Sequence, residues 1–423
     1  MERACLPTCF SSSTNPLRVA LFCTNSPEII SIIVAAQLVG ITVIPLNPSY
    51  KKYEISEYLL KSNATHVIIS DDVEPEKFND IPNVTTISEL LNQESGLFEA
   101  TDDPEQAGVI VFFSSGTTGP PKLFEYTQQQ LTAQIDQIRA VQEDPTQFSP
   151  AQNDVCYGVL PFFHAGGLVT VLSMLFSGVT LIINERWSEQ EFLAVCQNYR
   201  VSVLFLVPPV LHFLAVHPLV SSFDLTALRT IFVGAAASLP EDFGLVARRF
   251  PGLENLIQLY GTTECGVLLC STGRGIATGK SVGKPYPLAE IKIEPKSNEI
   301  LVKSATAVEE VWMETGDLGS FISDELVIQG RSKEMIKVRG WQVNPTELEE
   351  VIRSVGSSVQ DCAVFQHPES GQLIAKVIGE PASREQVFQV VKDNLASYKH
   401  LDNVIFVTEL PRNPSGKLVR HLL

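Results

Sequence analysis

The chain has 423 residues, 44% of them apolar and 19% charged, which is enough to bury a large core and to divide into two or more domains. Lysine and arginine number 31 against 48 aspartates and glutamates, and the formal charge of −17 argues against a nucleic-acid backbone as the main partner, because phosphate neutralisation needs an excess of basic side chains. Eight cysteines are scattered without a C-x-x-C pair, so neither a zinc site nor a disulfide framework is indicated and a reducing compartment fits.

The opening MERACLPTCFSSSTNP is too interrupted by polar residues and proline for a signal peptide. β-Branched and helical patterns then alternate: a strand over 17–23, a helix over 26–39, a strand over 41–46, a helix over 53–61 and a strand over 66–70. The stretch 29–44 is the most apolar of the chain, but Gly40 and the following PLNPSY make it a buried core segment and not a transmembrane span. The alternation resumes with a strand at 109–113, a helix around 127–141, a strand at 155–160, a helix near 168–176, a strand at 180–183, a helix over 189–199 and a strand at 201–207. Parallel sheets covered by helices follow from this order. From about residue 333 the pattern becomes that of a small α+β domain, with helices at 345–354 and 384–395 and strands at 363–365, 373–377 and 404–407. The expected division is therefore 1–332 and 333–423. The final His421, Leu422 and Leu423 do not make a peroxisomal import tripeptide, and cytosol is the expected compartment.

Four motifs carry chemistry. In VFFSSGTTGPPK, an apolar strand feeds a glycine- and hydroxyl-rich loop ending at Lys122, whose successive N–H groups can form an anion nest for phosphate. It is not the usual P-loop, since Pro120 and Pro121 fall where the helix would start, and its bland alternative is a surface turn. In QLYGTTE, following a strand at 256–259, Tyr260 can stack on a flat base, Thr262 or Thr263 can donate to a phosphate oxygen, and Glu264 can ligate Mg²⁺. The rival reading is a strand end followed by a helix, with Thr263 as cap and Glu264 favoured by the helix dipole. In ETGDLG and the following GRSKEMIKVRG, Asp317 can accept both hydroxyls of a ribose while Arg331 donates to the same sugar, against the alternatives of a hairpin turn and a solvated basic face. LPRNPSGK places Lys417 on a Pro/Gly loop, otherwise a flexible tail.

In order and combination these motifs, with Gly234, Ala235 and Ala236 and with LPFFHAGG between them, resemble the acyl-adenylate-forming superfamily over nearly the whole chain. That superfamily contains acyl-CoA synthetases, 4-coumarate–CoA ligases, firefly luciferases and peptide-synthetase adenylation domains. SSGTTGPPK, LPFFHAGGL and GWQVNPTELEEVI are most similar to the fatty-acyl and 4-coumarate–CoA ligases. The resemblance implies a large N-terminal domain of helix-covered parallel sheets and a small α+β lid, hinged at Lys333. It implies that Ser114, Ser115, Gly116, Thr117, Thr118, Gly119 and Lys122 hold the β- and γ-phosphates of ATP. Gly234, Ala235 and Ala236 would pass along the adenine that Tyr260 flanks, beside Gly261 and Thr262. Thr263 would contact the α-phosphate, Glu264 the Mg²⁺, and Asp317 and Arg331 the ribose. Lys417 would be the adenylation lysine, and Lys337, Gly340 and Trp341 would line the entrance for coenzyme A.

The physical logic agrees. A carboxylate attacking the α-phosphorus of ATP is an anion meeting an anion, so catalysis must align and neutralise, and each preorganised positive group is worth roughly 3–4 kcal/mol by analogy with oxyanion-hole donors. For the acid, His164, Phe163 and Gly166 are the expected pocket residues, although a lone histidine beside apolar residues is more often structural. Against the family's pattern, the chain enters its first strand early, and the spacing between EILV and METGD is short, so a shortened N-terminus and a shortened small subdomain are expected. The leading expectation is an acid–CoA ligase acting on a fatty or aryl acid. Its rivals are an adenylating enzyme with another acceptor and a nucleotide- or acyl-binding pseudoenzyme.

Overall fold

Short apolar runs rich in Val, Ile and Phe, each followed by a helix, can bury both faces of a strand only inside a helix-covered parallel sheet. The computed structural model describes residues 4–7, 17–92, 95–98, 108–113, 122–185, 187–338, 341–412 and 418–423. It contains two such sheets. The first has six strands in the order Val84–Thr86, His66–Ile69, Arg18–Phe22, Thr42–Leu46, Ile110–Phe113, Leu123–Tyr126, all neighbours parallel except the last pair. The second has seven: Thr180–Ile183, Val155–Gly158, Val203–Leu206, Thr230–Val233, Asn255–Thr262, Gly266–Ser271, Lys284–Pro285, parallel up to Asn255–Thr262 and antiparallel beyond.

Helix Ala165–Phe176 lies between the two sheets. Leu168, Val169, Val171 and Leu172 pack in the core of the first, and Met174 packs with Phe232 and Ile257 of the second. Largely apolar and buried from Gly167 to Met174, it meets solvent only at its end, through Leu175 and Phe176, as expected of a central helix. The outer face of the second sheet is covered by helices Glu189–Asn198, Pro208–Val216 and Pro240–Arg249 around Phe192, Leu211 and Phe243. A four-stranded antiparallel meander, Ala289–Ile293, Glu299–Ser304, Met313–Ile322, Glu325–Arg331, packs its apolar side against Tyr260, Cys265 and Leu269. It carries the stretch expected to be short.

A separate small domain follows, with its own core of Leu348, Ile352, Val364, Leu373, Val377, Val387 and Val404. Its sheet order is Val359–Gln366, Leu373–Gly379, Asn403–Phe406, backed by helices Pro345–Arg353 and Arg384–Asn394. The strands Val359–Gln366 and Asn255–Thr262 run several residues longer than the expected ones, because local apolar runs mark only the buried middle of a strand whose ends are fixed by pairing. Among the described residues no helix is long and apolar enough to cross a membrane.

Candidate active site

The nucleotide side is built around Asp317. Strand Met313–Ile322 pairs Glu314 with Leu301 and Leu318 with Glu299, so Thr315, Gly316 and Asp317 bulge out of the ladder where the partner strand supplies only Ile300. The expected alternative of a hairpin turn is not what forms. The bulge is held from several sides: Gly316 takes φ +74° and donates its N–H to Glu299 Oε1 at 3.0 Å, and Thr315 Oγ1 donates to the Ile300 carbonyl at 2.9 Å while accepting the Asp317 N–H at 3.1 Å. Asp317 is thereby turned toward Tyr260, whose hydroxyl donates to Oδ2 at 2.8 Å, and toward its cross-strand partner Arg331, whose Nε donates to Oδ1 at 3.0 Å. Burial, and then the Asp317 charge, push the Tyr260 hydroxyl well above the usual tyrosine range, so it keeps its proton and donates it to the carboxylate. Burial works against the Arg331 guanidinium, but Asp317 and Glu334 more than offset it. A carboxylate has about four lone-pair directions and two are used here, which leaves room for a pair of vicinal hydroxyls.

Next to it, Asn255–Thr262 turns into Gly266–Ser271 through Thr263, Glu264 and Cys265. No helix follows, so the rival reading of Thr263 as a helix cap is corrected: the segment is a β-turn region inside a sheet. The reason lies in two glycines. A Cβ on Gly261 would stand 1.9 Å from the Val267 carbonyl oxygen, and Gly266 has φ +119° with Thr306 Oγ1 2.5 Å from where its Cβ would be. The turn is pinned at three points: Thr262 Oγ1 accepts the Cys265 N–H at 3.0 Å, the Glu264 carbonyl accepts from Val308 N at 3.1 Å, and the Thr263 carbonyl accepts from the Tyr126 hydroxyl at 2.5 Å. The side chains of Thr263 and Glu264 are half-buried. Among the described residues there is no cluster of three or more metal-ligating side chains. A lone carboxylate beside a phosphate site suits Mg²⁺, which takes one or two carboxylates and completes its shell from substrate oxygens and water.

Strand Thr230–Val233 ends at Gly234, Ala235 and Ala236, and Ala235 holds φ +71°, a strained conformation for a residue with a Cβ. Gly234 could not carry a side chain without crowding the Leu259 carbonyl at 3.1 Å. Two buried polar atoms here, Gln258 Oε1 and Ser238 Oγ, have no hydrogen-bond partner among the described residues. A purine amino group is the kind of donor that an orphaned carboxamide oxygen can accept, so these residues fit a nucleotide base. Neither Gln258 nor Ser238 is marked by local sequence, because burial without a partner is a tertiary property.

Phe163 and His164, expected at the acid pocket, have rings 4.6 Å apart at the start of helix Ala165–Phe176, and neither they nor Gly166 line the cavity found farther along it. Their loop is fastened to the first sheet by Asn25, whose side chain donates to the carbonyls of Gly158 and Leu160 and accepts from Phe162 N. Asn25 was not among the expected site residues, since its partners lie more than 130 positions away. A Cβ on Gly167 would meet the Pro161 carbonyl oxygen at 2.1 Å, whereas a Cβ on Gly166 would meet nothing within 4 Å. Along the same helix lies a cavity of about 40 Å³ lined by Phe148, Thr170, Met174, Phe205, Phe232 and Leu259 among others.

Ser114, Ser115, Gly116, Thr117, Thr118 and Gly119 lie outside the described residues, as do Lys417 and Gly340. Their anchors are described. Phe113 meets Tyr58 edge-on at 4.7 Å, and Tyr58 stacks on Tyr50 at 4.7 Å, while the exposed Lys122 opens the return strand. The ends of the Lys417 segment are joined by an Arg412↔Leu418 bridge and by Val419 N to the Pro411 carbonyl at 2.8 Å. Arg412 pairs with Asp361 Oδ2 at 2.5 Å, and Asp361 Oδ1 accepts from Arg353 at 3.2 Å. Lys333 sits on the short turn Ser332–Glu334. Lys337 and Trp341 lie on the paired strands Ile336–Val338 and Trp341–Val343; the side chains of all three lie outside the described ones.

A family model described as AMP-binding enzyme matches residues 15–311, and the AMP-binding enzyme C-terminal domain matches residues 347–417. The chain is a member of the AMP-binding enzyme family. The enzyme is 32% identical to 4-coumarate–CoA ligase 3 of Arabidopsis thaliana over 95% of this chain and 80% of that one, and 30% identical to 4-coumarate–CoA ligase 1 of Petroselinum crispum over 95% and 83%. In fold it is similar to ATP-bound MatB from Rhodopseudomonas palustris, with a TM-score of 0.85 at 22% identity over 97% of this chain and 88% of that one. It is also similar to the amide bond synthetase McbA from Marinactinospora thermotolerans, with a TM-score of 0.81 at 22% identity over 97% and 90%. These place the enzyme among the adenylate-forming ligases, with the large α/β domain and small C-terminal domain expected from its sequence.

Proposed function

We propose that the enzyme uses ATP to activate a carboxylic acid as its acyl-AMP, releasing pyrophosphate, and then transfers the acyl group to the thiol of coenzyme A, releasing AMP and the thiol proton. The observation that carries this reading is the Tyr260–Asp317–Arg331 cluster: a buried carboxylate with spare lone pairs, beside the turn that bears the half-buried Thr263 and Glu264. In this reading Asp317 and Arg331 hold the ribose, and Gly234, Ala235, Ala236, Gln258 and Tyr260 frame the adenine. Thr263 meets the α-phosphate, and the loop 114–122 holds the outer phosphates. Glu264 would hold Mg²⁺, which when bound neutralises triphosphate charge. Lys417 orients the acid carboxylate against the α-phosphorus and stabilises the charge that develops there. The pyrophosphate leaves, and the small domain, swinging from about residue 333, then brings Lys337, Gly340 and Trp341 to the thiol entrance. The coenzyme A acceptor is supported by the relatives, which are themselves CoA ligases at about 30% identity. Cytosol remains the proposed compartment.

For the acid, the aromatic wall of Phe148, Phe205 and Phe232 beside helix Ala165–Phe176 suits an aryl group. Thr170, Ser173 and Ser177 donate their hydroxyl protons to carbonyls of their own helix, at 2.5, 2.7 and 3.1 Å, so the oxygens they keep available are acceptors. An aryl acid with a hydrogen-bond donor on the ring suits such a wall. ATP–pyrophosphate exchange across a panel of aryl and fatty acids tests both parts, with Lys417→Ala as control. Acid-dependent exchange that is lost in the variant supports adenylation, and the preferred acid names the class. Absence of exchange from folded protein would leave the pseudoenzyme reading in its place.

A further inference from the structure

A hydrogen bond between residues 137 positions apart joins the two large sheets beside the proposed chemistry. Tyr126 closes the antiparallel pair Ile110–Phe113 and Leu123–Tyr126, in register Ile110↔Tyr126 through Phe113↔Leu123, so it ends the return arm of the hairpin that bears the 114–121 segment. Its ring is buried and meets Phe112 of the outgoing arm edge-on, at 5.3 Å and 90°. Directly after it, Thr127 caps helix Gln128–Glu143 with a reciprocal Gln130 bond, so the residue is braced from both sides along the chain. Its hydroxyl reaches the Thr263 carbonyl. Of the three anchors on the Thr263–Glu264 turn, Cys265 N belongs to the turn itself and Val308 N to the segment after Glu299–Ser304, so Tyr126 supplies the one anchor that comes from the first sheet. Burial, then the charges of Cys265 and Glu264, raise the tyrosine far above its usual range, which keeps the proton on the hydroxyl and the bond in one direction.

We propose that Tyr126 is a positioning residue for adenylation, its hydroxyl holding the Thr263–Glu264 turn to the end of strand Leu123–Tyr126 so that the Glu264 carboxylate is in place before ATP and Mg²⁺ bind. This rests on the role proposed above for Glu264. Tyr126 touches no reacting atom and acts only through the turn. A tyrosine that merely filled the core would contribute through its ring, and Tyr126→Phe keeps the ring.

The test uses the full chain, with Tyr126→Phe and, as a second variant, Phe112→Leu, which loosens the ring without removing the hydroxyl. Acid-dependent pyrophosphate exchange is titrated with Mg²⁺, and a non-hydrolysable ATP analogue is titrated calorimetrically with and without Mg²⁺. For Tyr126→Phe the half-saturating Mg²⁺ concentration should rise about tenfold, the scale of one buried hydrogen bond. KM for the acid and the metal-free affinity for the analogue should not change, and the gain in analogue affinity on adding Mg²⁺ should shrink by the same factor. Phe112→Leu should move the same quantities in the same direction by less, and it carries the test alone if Tyr126→Phe does not fold. An unchanged Mg²⁺ titration, or a uniform loss that follows the folded fraction, overturns the proposal. If the unmodified enzyme shows no exchange the adenylation reading fails, and the calorimetric Mg²⁺ increment still decides for or against Tyr126.

Discussion

The two halves of the site are made differently. On the nucleotide side, backbone is forced into left-handed conformations at Ala235, Gly266 and Gly316, and Asp317 has both oxygens engaged by protein before any ligand arrives. On the acyl side, the loop is fixed by Asn25 and by the tight approach of Gly167, but Gly166 looks into open space and a cavity remains beside the helix. Strain held by surrounding bonds fixes one geometry, whereas a packed wall with a gap can be refitted by changing side chains. On the proposed function, the common reactant meets the rigid half and the variable reactant the adaptable one.

The sharpest way to break this comparison is Lys417→Ala. It should reduce exchange by about 10²–10³-fold for every acid in the panel, since charge stabilisation at the α-phosphorus does not depend on the acyl group. Selective loss for some acids would place Lys417 in the acyl half. Next, Asp317→Ala should cost about 10²-fold in kcat/KM for ATP, about 3 kcal/mol, with the order of preference among acids preserved. Steady-state kinetics with varied ATP checks it.

A neighbouring pair sharpens the contrast within the acyl half. Gly167→Ala places a methyl group against the Pro161 carbonyl and should destabilise the fold by about 2–4 kcal/mol in thermal or urea unfolding. Gly166→Ala should stay within about 1 kcal/mol of the unmodified chain, while changing KM for the acid more than KM for ATP.

The smallest effect concerns the two helices Pro208–Val216 and Pro240–Arg249 on the outer face of the second sheet. His212 Nδ1 lies 2.9 Å from Asp242 Oδ1, and this bond raises the imidazole above its usual value; burial opposes the shift, the charges of Asp242 and Asp361 add to it, and Arg353 subtracts. A raised histidine contributes stability that is complete below about pH 6.5 and fades as pH climbs through its higher folded value. His212→Gln should therefore lower the melting temperature more at pH 6 than at pH 9. The imidazole is almost half exposed, so the difference should stay below about 1 kcal/mol. Equal effects at both pH values would mean that the charge is not what matters.

The order of elements, the parallel sheets and the change of character near residue 333 were legible in the sequence, because each depends on the spacing of apolar residues along a few turns or strands. The motifs were legible too, and the roles given to their residues belong to the proposed function. Local pattern did not reveal that Thr263 sits in a hairpin and not at a helix start, since a Ser/Thr followed by Glu suits both and only the collision at Gly261 decides. Nor did it reveal that Asp317 is presented by a bulge, because a bulge is a mismatch between two strands and belongs to neither alone.

By itself, then, the sequence determined what this protein is composed to do: periodicity sets the layers, and the glycine, hydroxyl, acidic and basic residues of four motifs set a phosphate-handling chemistry. The tertiary structure decided which groups stand together. Asn25 with Phe162, Tyr126 with Thr263 and a Gln258 Oε1 left without a partner among the described residues are facts about groups brought close, or left bare, by the packing of two sheets around one helix. A hydrogen bond between positions more than a hundred residues apart leaves no periodic trace in the chain, because only the closed fold supplies its second atom.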